Sequence, residues 1–317
     1  MLIKDTIYGN SLINSPVLIE LINSQPVQRL KNISQYGLPI EYYHIKIPVN
    51  RYDHSIGVML LLKKLKATEE EQIAGLLHDI SHTAFSHVID WVLGDGKTED
   101  FQNIQHEKFM EKSEIAKILK QYNYDAKKIA NHKNYSLLEQ EIPDLCADRI
   151  DYSIREFPLS KAKYCLENMT VKNTRIVFKN KKAALIFAKN FIKRQITHWG
   201  GFEAATRYRF LANALKTALA KKIINYEDFW KDDNYIMNKL INSNDKEINK
   251  ILSILKEKSL KKLPKSQEKV LKKFRFVDPE YISQKKVRKL SNEDKNFKKI
   301  LQRAREINFQ GVLIPII

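Results

Sequence analysis

Apolar positions recur at helical spacing along most of the chain, and only a few short runs read as strands, so the pattern predicts a mainly α protein. Pro16 to Asn23 opens a short helix, and Val27 to Ile33 continues it with apolar residues three apart. Thr68-Glu69-Glu70-Glu71 has the form of a capping box. The helix it opens carries His78 and Asp79 at its C-terminal end, with His82 one turn beyond His78 on the same side. A loop at Gly94, Asp95 and Gly96 precedes helices around 105–121 and 125–131. Leu137 to Arg155 reads as one strong helix that aligns Asp148, Tyr152 and Arg155 or Glu156 along a stripe.

Further on, Thr174 to Phe178 reads as a strand, and Lys179 to Lys182 as a turn into helical structure that extends to about Ala220. After Asn242 comes a lysine-rich helix. The apolar stretches Phe274 to Pro279 and Val312 to Ile317 read as strands, with a helix capped near Ser291 between them. The expected organisation is a helical domain over residues 1–240, its motif-bearing core at about 45–160, and a small α+β extension over 241–317.

Composition narrows the setting. With 317 residues, 43% apolar and 29% charged, the chain can bury a sizeable core. Its start lacks the apolar run of a signal peptide, and no stretch approaches the ~20 apolar residues that span a bilayer, so a soluble cytoplasmic protein is expected. Cys146 and Cys165 have no metal-binding or redox spacing and read as reduced packing residues. The net charge of +18 would attract phosphate-bearing ligands, nucleic acid among them. The lysines are nevertheless spread along the chain without a repeated aromatic-basic pattern.

The chemistry concentrates elsewhere. His54, the pair His78-Asp79, and Asp148 supply two imidazoles and two carboxylates, a set that suits Mn²⁺, Fe²⁺, Ni²⁺ or hydrated Mg²⁺ better than a thiolate-rich structural zinc site. His82, His87 and His106 follow, so five of the eight histidines fall between positions 54 and 106.

The runs Arg51 to Val58 and Ala74 to His87, together with Asp148, resemble the signature of HD-domain phosphohydrolases. Within that superfamily they are most similar to the branch of dGTPases and the sterile-alpha-motif/HD dNTP triphosphohydrolase. The resemblance implies an HD-domain helical fold and one divalent ion, Mn, Fe, Ni, Co or Mg, on His54, His78, Asp79 and Asp148. It implies cleavage of a (deoxy)nucleoside triphosphate to nucleoside and triphosphate, and a homo-oligomer. It places His82, Asp90 and His106 in an acid/base cluster whose carboxylate orients a histidine. Gln35, Tyr36, Arg51, His87, Arg149, Tyr152 and Glu156 become substrate contacts. For His106 the alternative is a helix-surface histidine, and for Arg149 an ion pair with Asp151 or Glu156.

The chain departs from that pattern at two places. Tyr36 stands where dNTP-specific members carry a leucine beneath the sugar, which leaves the deoxy or ribo preference open. Asn23, Gln28 and Lys31 replace the Asp, Gln and Arg that read an activating guanine, which argues against that activation. Arg194, Arg207 and Arg209 are candidates for the γ-phosphate. Other functions compatible with the residues are an HD phosphodiesterase or nuclease on cyclic nucleotides or single-stranded nucleic acid, a di-iron oxygenase using His82, His87 or His106, and a non-catalytic nucleic-acid-binding module.

Overall fold

Several helix starts use the side chains that the sequence offers for them. Ser15 Oγ accepts from Leu18 N at the head of Pro16–Asn23. Thr68 Oγ1 accepts from Glu71 N at the head of Glu69–Leu77. Glu71 does not fold back to complete a capping box; its carboxylate accepts from Leu137 N and Leu138 N. That contact ties the helix leading to His78 to the segment leading to Asp148. The computed structural model describes residues 1–94, 96 and 99–316, so Asp95 of the expected loop and Ile317 of the expected last strand lie outside the described residues.

The architecture is mainly α, as the periodicity predicts, with small sheets at its margin. An N-terminal hairpin pairs Leu2–Asp5 with Gly9–Leu12. A four-stranded sheet runs in the order Met169–Lys172, Arg175–Phe178, Glu280–Ser283, Lys286–Lys289, its central pair parallel through Phe178 and Tyr281. Lys265–Val270 pairs antiparallel with Val312–Pro315. Segments after residue 241 thus share a sheet with the strand at 175–178. None of the helices among the described residues is long and apolar enough to cross a membrane.

Two cores form. One is built around Leu61, Leu76, Ile150, Phe187 and Phe191 and takes in Tyr281, Phe297 and Leu301 from the C-terminal segment. The other gathers Leu38, Phe85, Trp91, Phe210, Leu215 and Leu252. The HD motifs lie where the two meet.

The structure corrects three expectations. Leu137 to Arg155 is not one helix; only Ala147–Ile154 is helical. Pro143 has no N–H and would clash with a preceding turn, so the chain from 137 to 146 forms turns and the helix restarts after Cys146. His78 and His82 do not share a helix face, because the helix ends at Leu77 with His78 as its cap. Arg29 Nη2 takes the carbonyls of Ile80 and His82 at 2.8 and 2.7 Å, and Phe85 and Ser86 then turn left-handed at φ 62° and 51°. Phe274 to Pro279 is not a strand. The carbonyls just before it, on Lys272 and Lys273, accept from the side chains of Asn308 and Gln195. Phe274 and Phe276 stack on each other with Arg305 over the second ring. The C-terminal Lys295–Gln310 helix is capped by Asp294, while Ser291 donates to Asp278.

The left-handed turn at Phe85 and Ser86 carries His87 into the site, and Asp233 holds it there. Buried Asp233 accepts from Phe85 N at 2.6 Å and Ser34 N at 2.8 Å. Asp233→Ala strands both donors and should cost about 2–4 kcal/mol of unfolding free energy, since each unsatisfied buried group costs ~1–3 kcal/mol. Urea denaturation measures this; a loss below about 0.5 kcal/mol would show the turn to be held by other contacts.

Candidate metal centre and substrate cavity

His54 lies on the Arg51–Lys64 helix, whose first turn is set by Asn50 Oδ1 accepting from Asp53 N. Its Nδ1 donates to Asp151 Oδ2 at 2.8 Å, and His78 Nδ1 donates to Gly75 O at 2.8 Å. Each ring therefore turns its Nε2 toward the other, and the two Nε2 atoms are 3.2 Å apart. Asp148 Oδ1 stands 3.0 Å from His54 Nε2 and 3.5 Å from His78 Nε2. Asp79 adds Oδ1 at 3.5 Å from His78 and Oδ2 at 3.7 Å from His54. Two imidazole nitrogens and two carboxylates converge there, and among them His54, His78 and Asp148 offer a donor set that fits a divalent ion.

Behind these residues is a layer that the sequence reading missed. Arg155 Nε holds Asp151 at 2.7 Å, Tyr8 Oη donates to Asp151 at 2.8 Å, and Arg155 reaches Asp5 at 2.9 Å. A Cβ on Gly57 would lie 2.0 Å from Arg155 Nη2 and 2.1 Å from Asp151 Oδ1, so glycine is required there. Arg51 Nη1 binds Asp79 Oδ2 at 2.7 Å and its Nε reaches Ser86 Oγ at 3.0 Å, which fixes the carboxylate's orientation. Burial raises the Asp79 pKa, but Arg51 and then His78 outweigh it and hold Asp79 well below the usual carboxylate range.

A second donor set, Glu139, Cys146 and Asp148, is already occupied by charge. Arg149 donates to Cys146 Sγ, to Glu139, and to the carbonyls of Asp144 and Gln140. Burial pushes the Cys146 thiol up, so it does not supply a thiolate. Arg149 pins the 139–146 turns and pairs with neither Asp151 nor Glu156.

The centre opens on a cavity of about 1030 Å³ lined by Gln35, Tyr36, Arg51, His82, His87, His106, Arg149, Tyr152 and Glu156, so the expected substrate contacts are brought together. Tyr36 packs against His198, 5.1 Å between ring centroids. Glu156 is spent on His198 Nδ1 and Trp199 Nε1, each at 2.6 Å. Gln35 Oε1 is buried without a hydrogen-bond partner.

The acid/base residues are arranged differently from the expectation. Asp90 stands behind His87, with Oδ2 3.5 Å from Nδ1, because both lie at the start of the Val88–Leu93 helix. His106 is buried; its Nδ1 meets Ser81 Oγ at 2.8 Å and its Nε2 lies 3.2 Å from His132 Nε2. His132 was not among the expected site residues, and no motif in the sequence marks it. His82 Nε2 is 3.3 Å from Asp79. Burial and the Arg51 charge push His82 down to about 3, burial and His78 push His132 down to about 4, and burial with His132 keeps His106 well below its usual value. All three are neutral near pH 7.

None of the three γ-phosphate candidates lines the cavity. Arg207 is fully buried on the carbonyls of Tyr42, Leu255 and Glu257, Arg194 binds Glu156 O, and Arg209 pairs with Glu268. The cations at that wall include Lys272, Lys273 and Arg275. At the positions matching an activator site, Asn23 and Gln28 bind the carbonyls of Ile19 and Ile22, and Lys31 lies over the Tyr52 ring.

Burial lowers the proton affinity of His54, yet Asp148 and Asp151 outweigh it and raise its pKa to about 9. In metal-free protein the charged imidazole contributes stability that is complete below the ordinary value of 6.5 and is lost as pH rises through about 9. A divalent ion must displace that proton. Metal affinity should therefore rise about tenfold per pH unit between those limits. Titrations of metal-depleted protein with Mn²⁺ at three pH values check this; a pH-independent Kd would contradict it.

Residues 51–156 match the HD domain family. The chain is 37% identical over 326 residues to the uncharacterized protein YdhJ of Bacillus subtilis, spanning 100% of this chain and 99% of that one. It is 36% identical over 168 residues to the metal-dependent phosphohydrolase cns2 of Cordyceps militaris, covering 53% of this chain and 48% of that protein. With the human deoxynucleoside triphosphate triphosphohydrolase SAMHD1 it shares 34% identity over 103 residues, 28% of this chain and 16% of that protein. A hypothetical protein from Aquifex aeolicus has the same fold, with a TM-score of 0.66 at 18% identity over 97% of this chain and 99% of that one. The chain belongs to the HD-domain superfamily of metal-dependent phosphohydrolases.

Proposed function

We propose that the chain hydrolyses a nucleoside triphosphate to nucleoside and triphosphate at one divalent ion held by His54, His78, Asp79 and Asp148. The observation that carries this reading is the pair of Nε2 atoms facing two carboxylates on the wall of a cavity of about 1030 Å³. Small-molecule sites typically occupy roughly 300–1,000 Å³, and this one is at the upper end. The bound ion would polarise a phosphate oxygen and lower the pKa of water.

The remaining work falls to the chain's own side chains. His87, with Asp90 behind its Nδ1, is the group placed to hand a proton to the leaving oxygen. His82 and His106, kept neutral, orient water and phosphate oxygens. Gln35 Oε1, a buried acceptor without a partner, suits a sugar hydroxyl, and Tyr36 forms the wall beneath the sugar.

A second reading, a two-ion phosphodiesterase or oxygenase-type centre, draws on the His106–His132 pair, whose His132 ring lies 6.4 Å from that of His78. The reaction products separate the readings. Incubation with dNTPs, NTPs, cyclic nucleotides and short oligonucleotides, each with Mn²⁺, Mg²⁺, Fe²⁺, Ni²⁺ or Co²⁺, should give inorganic triphosphate from a nucleoside triphosphate, resolved by ³¹P NMR. Turnover of cyclic nucleotides or oligonucleotides alone would overturn the proposal.

Tyr36→Leu should raise the deoxy-over-ribo ratio of kcat/KM, because one altered pocket contact shifts discrimination by about 1–3 kcal/mol. An unchanged ratio would remove Tyr36 from the sugar wall.

A further inference from the structure

The cavity wall away from the metal centre carries Lys272, Lys273 and Arg275, from a segment beyond the HD match, facing Glu99 and Asp100 from within it. Lys272 and Glu99 are buried at 6% and 3% exposure, and the Arg275 side chain is 19% exposed. Lys272 Nζ stands 3.3 Å from Glu99 Oε1 and Arg275 Nη2 pairs with Glu99 Oε2. Glu99 Oε1 gains no aligned hydrogen bond from this arrangement. Lys273 pairs with Asp100 at 4.0 Å, so Lys272 and Arg275 share Glu99 and leave a net positive charge facing the cavity. Arg51 is committed to Asp79 and Arg149 to the 139–146 turns.

The cations are held rigidly. Lys272 Nζ sits 3.7 Å from the centroid of the Tyr208 ring, and its carbonyl accepts from Asn308 on the C-terminal helix. The Phe274–Phe276 stack, with Arg305 over Phe276, fixes the backbone on both sides of Arg275. Glu99 has a left-handed backbone at φ 55°, a conformation that costs a non-glycine residue free energy. Lys272 and Arg275 line the same cavity as His78, Asp79 and Asp148, so these cations and the metal ligands face one ligand.

We propose that Lys272 and Arg275 form the subsite for the distal phosphates of a polyphosphate chain, with Glu99 a resident carboxylate that the incoming anion displaces. This rests on the nucleoside triphosphate reading above and assigns its phosphate end to a segment that follows the HD motifs by more than a hundred residues. The exchange is one of anions on fixed cations: Glu99 leaves the ion pairs and a phosphate takes its place, with no covalent change.

The test is calorimetric titration of the metal-loaded protein with inorganic tripolyphosphate in excess Mg²⁺, with orthophosphate for comparison. Wild type should bind tripolyphosphate at least tenfold more tightly than orthophosphate. Arg275→Gln and Lys272→Met, near-isosteres that preserve the packing, should each weaken tripolyphosphate by about tenfold to a hundredfold, the range for a charge-assisted contact. Glu99→Gln should tighten tripolyphosphate and leave orthophosphate unchanged. The subsite is overturned if both cation variants, with thermal midpoints near that of wild type, retain wild-type tripolyphosphate affinity. It is overturned likewise if Glu99→Gln weakens that affinity, which would make Glu99 a structural partner. Failure of the broader reading looks different: tripolyphosphate binding that depends on Arg275 in a protein that turns over no nucleoside triphosphate.

Discussion

Two imidazole nitrogens 3.2 Å apart, facing two carboxylates, are the constraint around which the molecule is organised. Each ring spends its Nδ1 proton on an acceptor behind it, Asp151 for His54 and the Gly75 carbonyl for His78, which aims both Nε2 atoms at the centre. The facing carboxylates of Asp148 and Asp79 make the spot more negative still. Such an arrangement persists only where surrounding structure over-determines it, and here the supports are specific. The Tyr8–Asp151–Arg155–Asp5 network fixes His54 from behind, Gly57 makes room for it, and Arg51 fixes Asp79. Hydrogen-bonded carboxylates behind ligating histidines are how proteins set tautomer and basicity at metal centres.

The same logic of paired and unpaired charge sorts the arginines of this chain. Arg207 and Arg149 are buried on backbone carbonyls and hold segments together, so their charge is spent on structure. Arg275 and Lys272 are opposed by a single carboxylate and face open volume. A guanidinium that already has a full complement of carbonyl acceptors gains little from a phosphate. One sharing a displaceable carboxylate gains a stronger partner in a site from which water is partly excluded.

Much of this is legible in the chain before folding. The helical class, the Thr68 cap and the convergence of His54, His78, Asp79 and Asp148 follow from periodicity and motif. What escapes is whatever depends on three-dimensional return. Asp151 is three residues past Asp148 and reads as surface charge until the helix starting at Ala147 turns it onto His54. His132 has no motif around it, and only the turns after residue 130 bring it to His106. Asp90 pairs with His87 because both lie at the start of the Val88–Leu93 helix, three residues apart. Pro143 was a visible stop signal inside the apparent helix from 137, and apolar periodicity alone masks it. Lys272 and Arg275 lie in a stretch whose alternating Phe274 and Phe276 imitate a strand, though the alternation serves ring stacking.

The central claim is that these four side chains hold one ion. Anomalous diffraction from crystals grown with Mn²⁺ tests it most directly. The account predicts a single strong peak within about 2.3 Å of His54 Nε2, His78 Nε2 and oxygens of Asp148 and Asp79. A strong peak seated instead on Glu139 and Cys146, or none beside the two imidazoles, would contradict it.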